Sequence, residues 1–258
     1  MNLYDLNRSR FCSLGWQLVV WLLISGFFVG CDDGTYSSRY KERLADVGRI
    51  STLSFYLQPS RIGVSDEAGK GTGVDLQLPL IFDKDRKQYS KSDDENRAQV
   101  PGIKIPGFNY SLERLAGNAN SEFLPVQFYA FANSAAALSE DDFKAAVTAA
   151  VDQTFGKGQY GWGTTNIINM DGSTTSWNKM EILAGHPFHY LAADQQEQTR
   201  AMDGKLLIYE RSNGKHTIAF AFRFPTELND RLQQPAPGDS PSFERAIEAS
   251  LGSVRGLK

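Results

Sequence analysis

The sequence predicts an α+β fold, a mainly antiparallel sheet covered by helices, preceded by an apolar N-terminal signal or anchor helix. Three observations carry this. Stretches with the two-residue period of strands meet at hairpin turns, Asp171-Gly172 and Asn213-Gly214. Stretches with helical period, at 139–155 and 240–254, are set among the strands without regular alternation. There is neither the strand–helix–strand rhythm of a parallel doubly wound sheet nor a repeat of solenoid length.

The first element is an address. Residues 11–31 carry no charge, Arg8 and Arg10 precede them, and Asp32 and Asp33 follow. A positive start, an apolar run and a small residue at its end make an export signal, and the positive-inside rule leaves the rest outside the cytoplasm. The run ends Phe28-Val29-Gly30-Cys31, which resembles the lipobox of bacterial lipoproteins, with Phe28 where Leu is usual. The resemblance implies that Gly30 is the last residue removed and that Cys31 becomes the lipidated N-terminus. Asp32 is similar to the inner-membrane retention signal of enterobacterial lipoproteins. A second reading is an uncleaved signal anchor, since about 20 apolar residues at ~1.5 Å rise cross a ~30 Å hydrocarbon core, and a third is simple secretion. All three give the same division: 1–30 as signal peptide or anchor, and 31–258 as one extracytoplasmic domain.

Within that domain, Tyr36, Tyr40, Leu44 and Val47 share one stripe of a short amphipathic helix over 35–47. Residues 52–58 and 74–82 alternate as strands, Pro79 marking an edge or a bulge. Residues 83–99 mix five acidic and five basic side chains without apolar period, and two Pro-Gly turns follow. The stretch 83–109 is therefore expected to be a mobile charged loop. Residues 123–133 read as a strand. Ser139, with Asp142 three positions on, opens a helix carrying Phe143, Val147 and Val151, which Gly156 closes. Strands over 164–169 and 174–183 and a hairpin over 205–224 come next, with Pro225 ending the hairpin and Ser240-Pro241 starting the final helix.

Composition excludes several functions. The formal charge is −3, and removing 1–30, with Arg8, Arg10 and Asp5, leaves 25 basic and 29 acidic side chains. Basic residues are interspersed with acidic ones, so nucleic acid is not expected as a partner. Cys12 and Cys31 are the only cysteines, so the body lacks a disulfide, a thiol nucleophile and thiolate-bound metal.

The Trp177-bearing strand, the hairpin KLLIYERSNGKHTIAFAFRFP and the closing SFERAIEASLGSV helix are similar to the PsbP-like α/β/α sandwich. That resemblance covers about a third of the chain. It implies a non-catalytic assembly or binding subunit and carries over no catalytic residue.

Catalytic motifs are absent or misplaced. Gly156, Gly158 and Gly161 spell the dinucleotide pattern, but a helix precedes them and a strand follows, the reverse of what a phosphate needs. Asp83 and Asp85 do not start a calcium loop, because Lys87 and Gln88 stand where oxygen ligands belong. No G-x-S-x-G elbow occurs around Ser173 or Ser176. His186 and His189, with Glu181 or Asp194, are the one candidate zinc set, although residues three apart on a strand face opposite sides. His216, in the hairpin, completes the one histidine constellation. Tyr160 and Trp162, on a glycine-rich loop, are candidates to present aromatic surface to a ligand.

The expectation is a membrane-anchored extracytoplasmic lipoprotein without catalytic residues or cofactor, binding an envelope protein or polymer. The alternative is an extracytoplasmic hydrolase, zinc-assisted through His186, His189 and Glu181.

Overall fold

The computed structural model describes residues 33–66, 68–83, 87–90, 100, 103–229 and 242–257. Its contacts divide the chain into two units, Met1–Gly48 and Arg49–Lys258. The apolar run 11–31 lies outside the described residues, among which no helix is long and apolar enough to cross a membrane.

The first described helix, α1 (Asp33–Ser54), is longer than its sequence signal. It continues to Ser54, into the stretch 52–58 where alternation suggests a strand, and strand β1 begins only at Leu57. Tyr40, Leu44 and Val47 on its stripe are exposed.

The larger unit is α+β and antiparallel throughout. Strands β1 (Leu57–Ser65) and β2 (Gly71–Pro79) form a separate hairpin. Pro79 ends β2, and a 3-10 turn, Leu80–Phe82, follows. Seven further strands make the main sheet: β3 (Lys87–Ser90), β4 (Phe108–Gly117), β5 (Phe123–Ser134), β6 (Trp162–Ile168), β7 (Thr174–Leu191), β8 (Glu197–Ser212) and β9 (His216–Pro225). Their order is β3-β4-β5-β9-β8-β7-β6. Within the charged stretch, Lys87–Ser90 pairs with β4, and Val100, Ile103 and Ile105 are buried.

Both faces of this sheet are covered, which is why its central strands read as nearly continuous apolar runs. On one face, Phe128, Phe220, Phe222 and Leu207 pack with the β1–β2 hairpin and helix α3 (Phe243–Gly252). On the other, helix α2 (Glu140–Phe155) lays Phe143, Val147 and Val151 over Ala219, Ala221, Ile208 and Met180. The two alanines leave room for the helix to approach, where larger side chains would overfill a close-packed layer. Ser139 caps α2 by accepting the Asp142 N–H, as its sequence signature requires.

Beyond Pro225, which pairs with Gly204, the distal parts of β7 and β8 run on as a two-stranded ribbon. The ribbon returns to the start of β5. Leu191 pairs with Phe123, and the Arg200 guanidinium donates two parallel bonds to Glu122, at 2.9 and 2.8 Å. Further along, Arg223 on β9 donates to the Pro187 carbonyl and lies 4.0 Å from the Phe188 ring centre.

Candidate functional site

Tyr160 and Trp162 are half-buried. The Tyr160 hydroxyl donates to the Leu183 carbonyl (2.7 Å), and its ring stands edge-on to Phe155. The Trp162 indole N–H reaches both Thr148 Oγ1 (3.2 Å) and the Lys144 carbonyl (3.3 Å) on α2. Their polar ends fasten the loop to α2 and β7, and only part of each ring faces outward. Trp177, by contrast, is core, at 1 % exposure.

Glu181 and His189 lie eight positions apart on β7, roughly 25 Å of extended strand at about 3.3 Å per residue. A single ion cannot span that. Lys179 (2.8 Å) and Lys205 (3.2 Å) flank the Glu181 carboxylate. Burial works against its ionisation, but these lysines outweigh it and hold the carboxyl below its ordinary range. His189 Nδ1 is 2.8 Å from the Thr199 hydroxyl, and His216 Nε2 lies 3.9 Å from Asp66. The side chain of His186 lies outside the described ones. Among the described residues no group of three His, Cys, Asp or Glu side chains is close enough to hold a metal ion.

Two polar clusters are buried inside the body. In the first, cross-strand register lines up Glu113, Gln127 and Arg223 on β4, β5 and β9. Gln127 donates to Glu113 (2.7 Å) and accepts from Arg223 Nη1 (2.7 Å) and the Tyr129 hydroxyl (2.9 Å). Burial pulls the Arg223 guanidinium below its ordinary pKa and pushes the Tyr129 phenol well above its own. In the second, the fully buried Glu210 accepts from Asn178 (2.8 Å), which also donates to Glu140 (3.1 Å), and Lys144 Nζ is 3.8 Å away. Burial raises the Glu210 carboxyl to about 7. Both clusters face inward, under α2 or at its edge.

The candidate site lies on the opposite face, where α3 ends. An open groove of about 660 Å3 runs between the β6–β7 turn and the chain segment after α3. Its lining includes Trp177, Arg211, Leu251, Val254, Arg255 and Leu257. The turn side is set by local hydrogen bonds. Asp171 accepts from the backbone N–H and hydroxyl of Ser173, and Asn169 donates to Ser173 and Thr175. The other wall is bolted to β2. Ser250 and Ser253 bond to Gln77, Arg61 donates to the Ser253 carbonyl, and Arg255 exchanges backbone bonds with Asp75.

Two glycines let the walls meet. A Cβ on Gly252 would stand 2.4 Å from the Ile168 carbonyl oxygen. One on Gly256, at φ +83°, would stand 2.1 Å from the carbonyl oxygen of Gly73. The groove's residues gave no motif in the sequence. One signal was present: in KLLIYERS the alternation Leu207, Tyr209 continues inward to Arg211, a cation where an apolar residue is expected.

No family model matches the chain, and no curated protein matches it. Two solved structures are similar at low level. One is PsbP (CyanoP) from Synechocystis sp. PCC 6803, at 13% identity and TM-score 0.34, over 78% of this chain and 92% of that one. The other is a crystal structure from Bacteroides thetaiotaomicron VPI-5482, at 10% identity and TM-score 0.33, over 77% of this chain. This chain spans about half, 48%, of the Bacteroides protein's length.

Proposed function

We propose that this chain is a membrane-anchored extracytoplasmic protein whose body binds and does not catalyse. The observation that carries it is the uncharged run 11–31, which has Arg8 and Arg10 before it and ends at Cys31. Lipidation at Cys31 is the proposed attachment. Two features of the body support the binding role. Its buried charged side chains Arg223 and Glu210 are held by neighbours inside the fold, the first by Gln127 and the Pro187 carbonyl, the second by Asn178. The groove's serine–carboxylate pair, Ser173 with Asp171, has no histidine among the groove's described lining. A hydrolytic serine needs a base between itself and the acid. The resemblance of residues 177–255 to PsbP-like subunits points the same way. The outward parts of Tyr160 and Trp162 are a proposed second contact surface for an envelope protein or polymer.

Mass spectrometry of the mature N-terminus tests the anchor. A diacylglyceryl-bearing peptide beginning at Cys31 is expected, and Cys31→Ala should shift the chain out of the membrane fraction. An intact peptide covering 11–31 in membranes replaces lipidation with the signal anchor. A chain that stays in the cytosol defeats both. Steady turnover of any substrate, abolished by one point substitution, overturns the non-catalytic reading.

A further inference from the structure

The geometry points to the groove after α3 as a binding site for a small organic anion, one carboxylate or phosphate head on an apolar or aromatic body. The proposal rests on reading the body as a binding module, and three features of the groove carry it.

The first is a surplus of donors. Arg211 and Arg255 both line the groove, and neither guanidinium has an acid partner among the described residues. The Trp177 indole N–H, in the same wall, also lacks an acceptor. A buried or half-buried donor without a partner carries a desolvation cost that an arriving acceptor removes. A cation that needs only solubility stays in water, yet Arg211 is half-buried, on the sheet face that carries the core residues Leu207 and Tyr209.

The second is the charge balance. Among the described residues Asp171 is the sole carboxylate lining the groove, and its Oδ1 already accepts two bonds from Ser173. The carbonyl end of α3 faces the same space, but the Gly252 carbonyl accepts the Met170 N–H (3.0 Å). Two cations against one engaged acid leave a net positive groove. Asp171 and the helix end limit it to a head group of low charge and disfavour polyanions.

The third is the apolar lining. Ile50 is exposed and Met170 and Val254 are half-buried, so an aliphatic or aromatic body has a surface to cover. A bare inorganic ion would leave that surface unused. Arginine suits the head group because its planar fork meets carboxylate or phosphate with two parallel bonds.

Calorimetric titration of the full-length chain in non-ionic maltoside micelles tests this. The probes are phenyl phosphate and benzoate, with inorganic phosphate and benzyl alcohol as head-only and body-only controls. Both organic anions should bind saturably at one site and more tightly than either control. Arg211→Gln and Arg255→Gln should each weaken phenyl phosphate about tenfold, the loss expected for one charge-assisted bond. Arg255 is exposed, so that variant keeps the test valid if Arg211→Gln fails to fold, and near-ultraviolet circular dichroism reports on both. Equal affinity in wild type and variants overturns the site, as does absence of saturation. Inorganic phosphate binding as tightly as phenyl phosphate removes the organic part of the assignment. Release of phenol during the titration defeats the binding-module reading itself, an outcome separate from loss of the site.

Discussion

Replacing Arg223 with Ala should loosen the ribbon formed by the distal parts of β7 and β8. The guanidinium is 1 % exposed, donates to Gln127 and to the Pro187 carbonyl, and lies against the Phe188 ring. Each charge-assisted bond contributes about 1.5–3 kcal/mol, and a desolvated arginine–ring contact about 2 kcal/mol. Against these stands the cost of burying the cation, which is released on substitution. Gln127 keeps the Tyr129 hydroxyl, but the Pro187 carbonyl loses its Arg223 donor. Breaking one member out of such a buried arrangement costs about 3–5 kcal/mol net. For a body of this size each kcal/mol lowers the melting temperature by about 2–4 °C, so the fall should be roughly 6–20 °C. Arg223→Met, which keeps the bulk and removes the charge, should cost about 0–2 kcal/mol. Thermal melting followed by circular dichroism measures the totals, and amide exchange locates the effect. Protection should be lost first around Pro187 and Phe188 and across the Arg200–Glu122 clasp. A loss below about 1 kcal/mol for the Ala variant, or exchange that quickens equally everywhere, refutes the reasoning.

Three other outcomes follow from single contacts. Glu210 is raised to about 7 from the ordinary carboxyl value, so the folded state holds its proton more tightly than the unfolded chain does. Its contribution is therefore fully present at acid pH and fades as pH rises from about 4.5 through 7. Glu210→Gln should flatten that fall and stabilise the protein by about 2 kcal/mol at pH 8 relative to pH 4.5, read from urea midpoints of variant against wild type; equal pH slopes in the two would refute it. Ser139→Ala removes the α2 cap and should cost about 1 kcal/mol in the same assay, with Ser139→Gly less harmful. Gly252→Ala drives a methyl onto the Ile168 carbonyl oxygen, a backbone atom with no rotamer to escape by, and should cost about 1–3 kcal/mol. It should also lower Trp162–Ile168 strand protection in amide exchange, and unchanged protection would argue against the close approach.

Local chemistry made much of the fold legible. Ser139 and Asp142 marked the start of α2, Asn213-Gly214 fixed the β8–β9 turn, and Pro225 ended β9. What escaped was set by distant partners. Strand β4 carries Asn109, Ser111, Glu113 and Arg114 among its apolar residues, so its pattern is diluted, and Glu113 is buried because Gln127 reaches it across the sheet. The ribbon part of β7 contains Gly185 and Pro187, which read as breakers, yet strand pairing runs through them from Glu181 to Leu191. At the start of β1, α1 overrides an alternating pattern by continuing through Ser54. The candidate site is the least legible feature. Arg211 and Arg255 are 44 positions apart and line one groove through tertiary contacts, among them the close approaches at Gly252 and Gly256.

The fastening of Ser250, Ser253 and Arg255 to β2 has a consequence in time. These bonds join residues more than 170 positions apart, so the hairpin of β1 and β2 cannot be secured until residues 250–255 are present. Contacts of such long range form slowly, because the loop they close is nearly the whole domain. A ribosome would release β1 and β2 long before their clamp arrives. The order of emergence thus opposes early completion of the fold and leaves β1 and β2 unclamped until residues 250–255 have emerged.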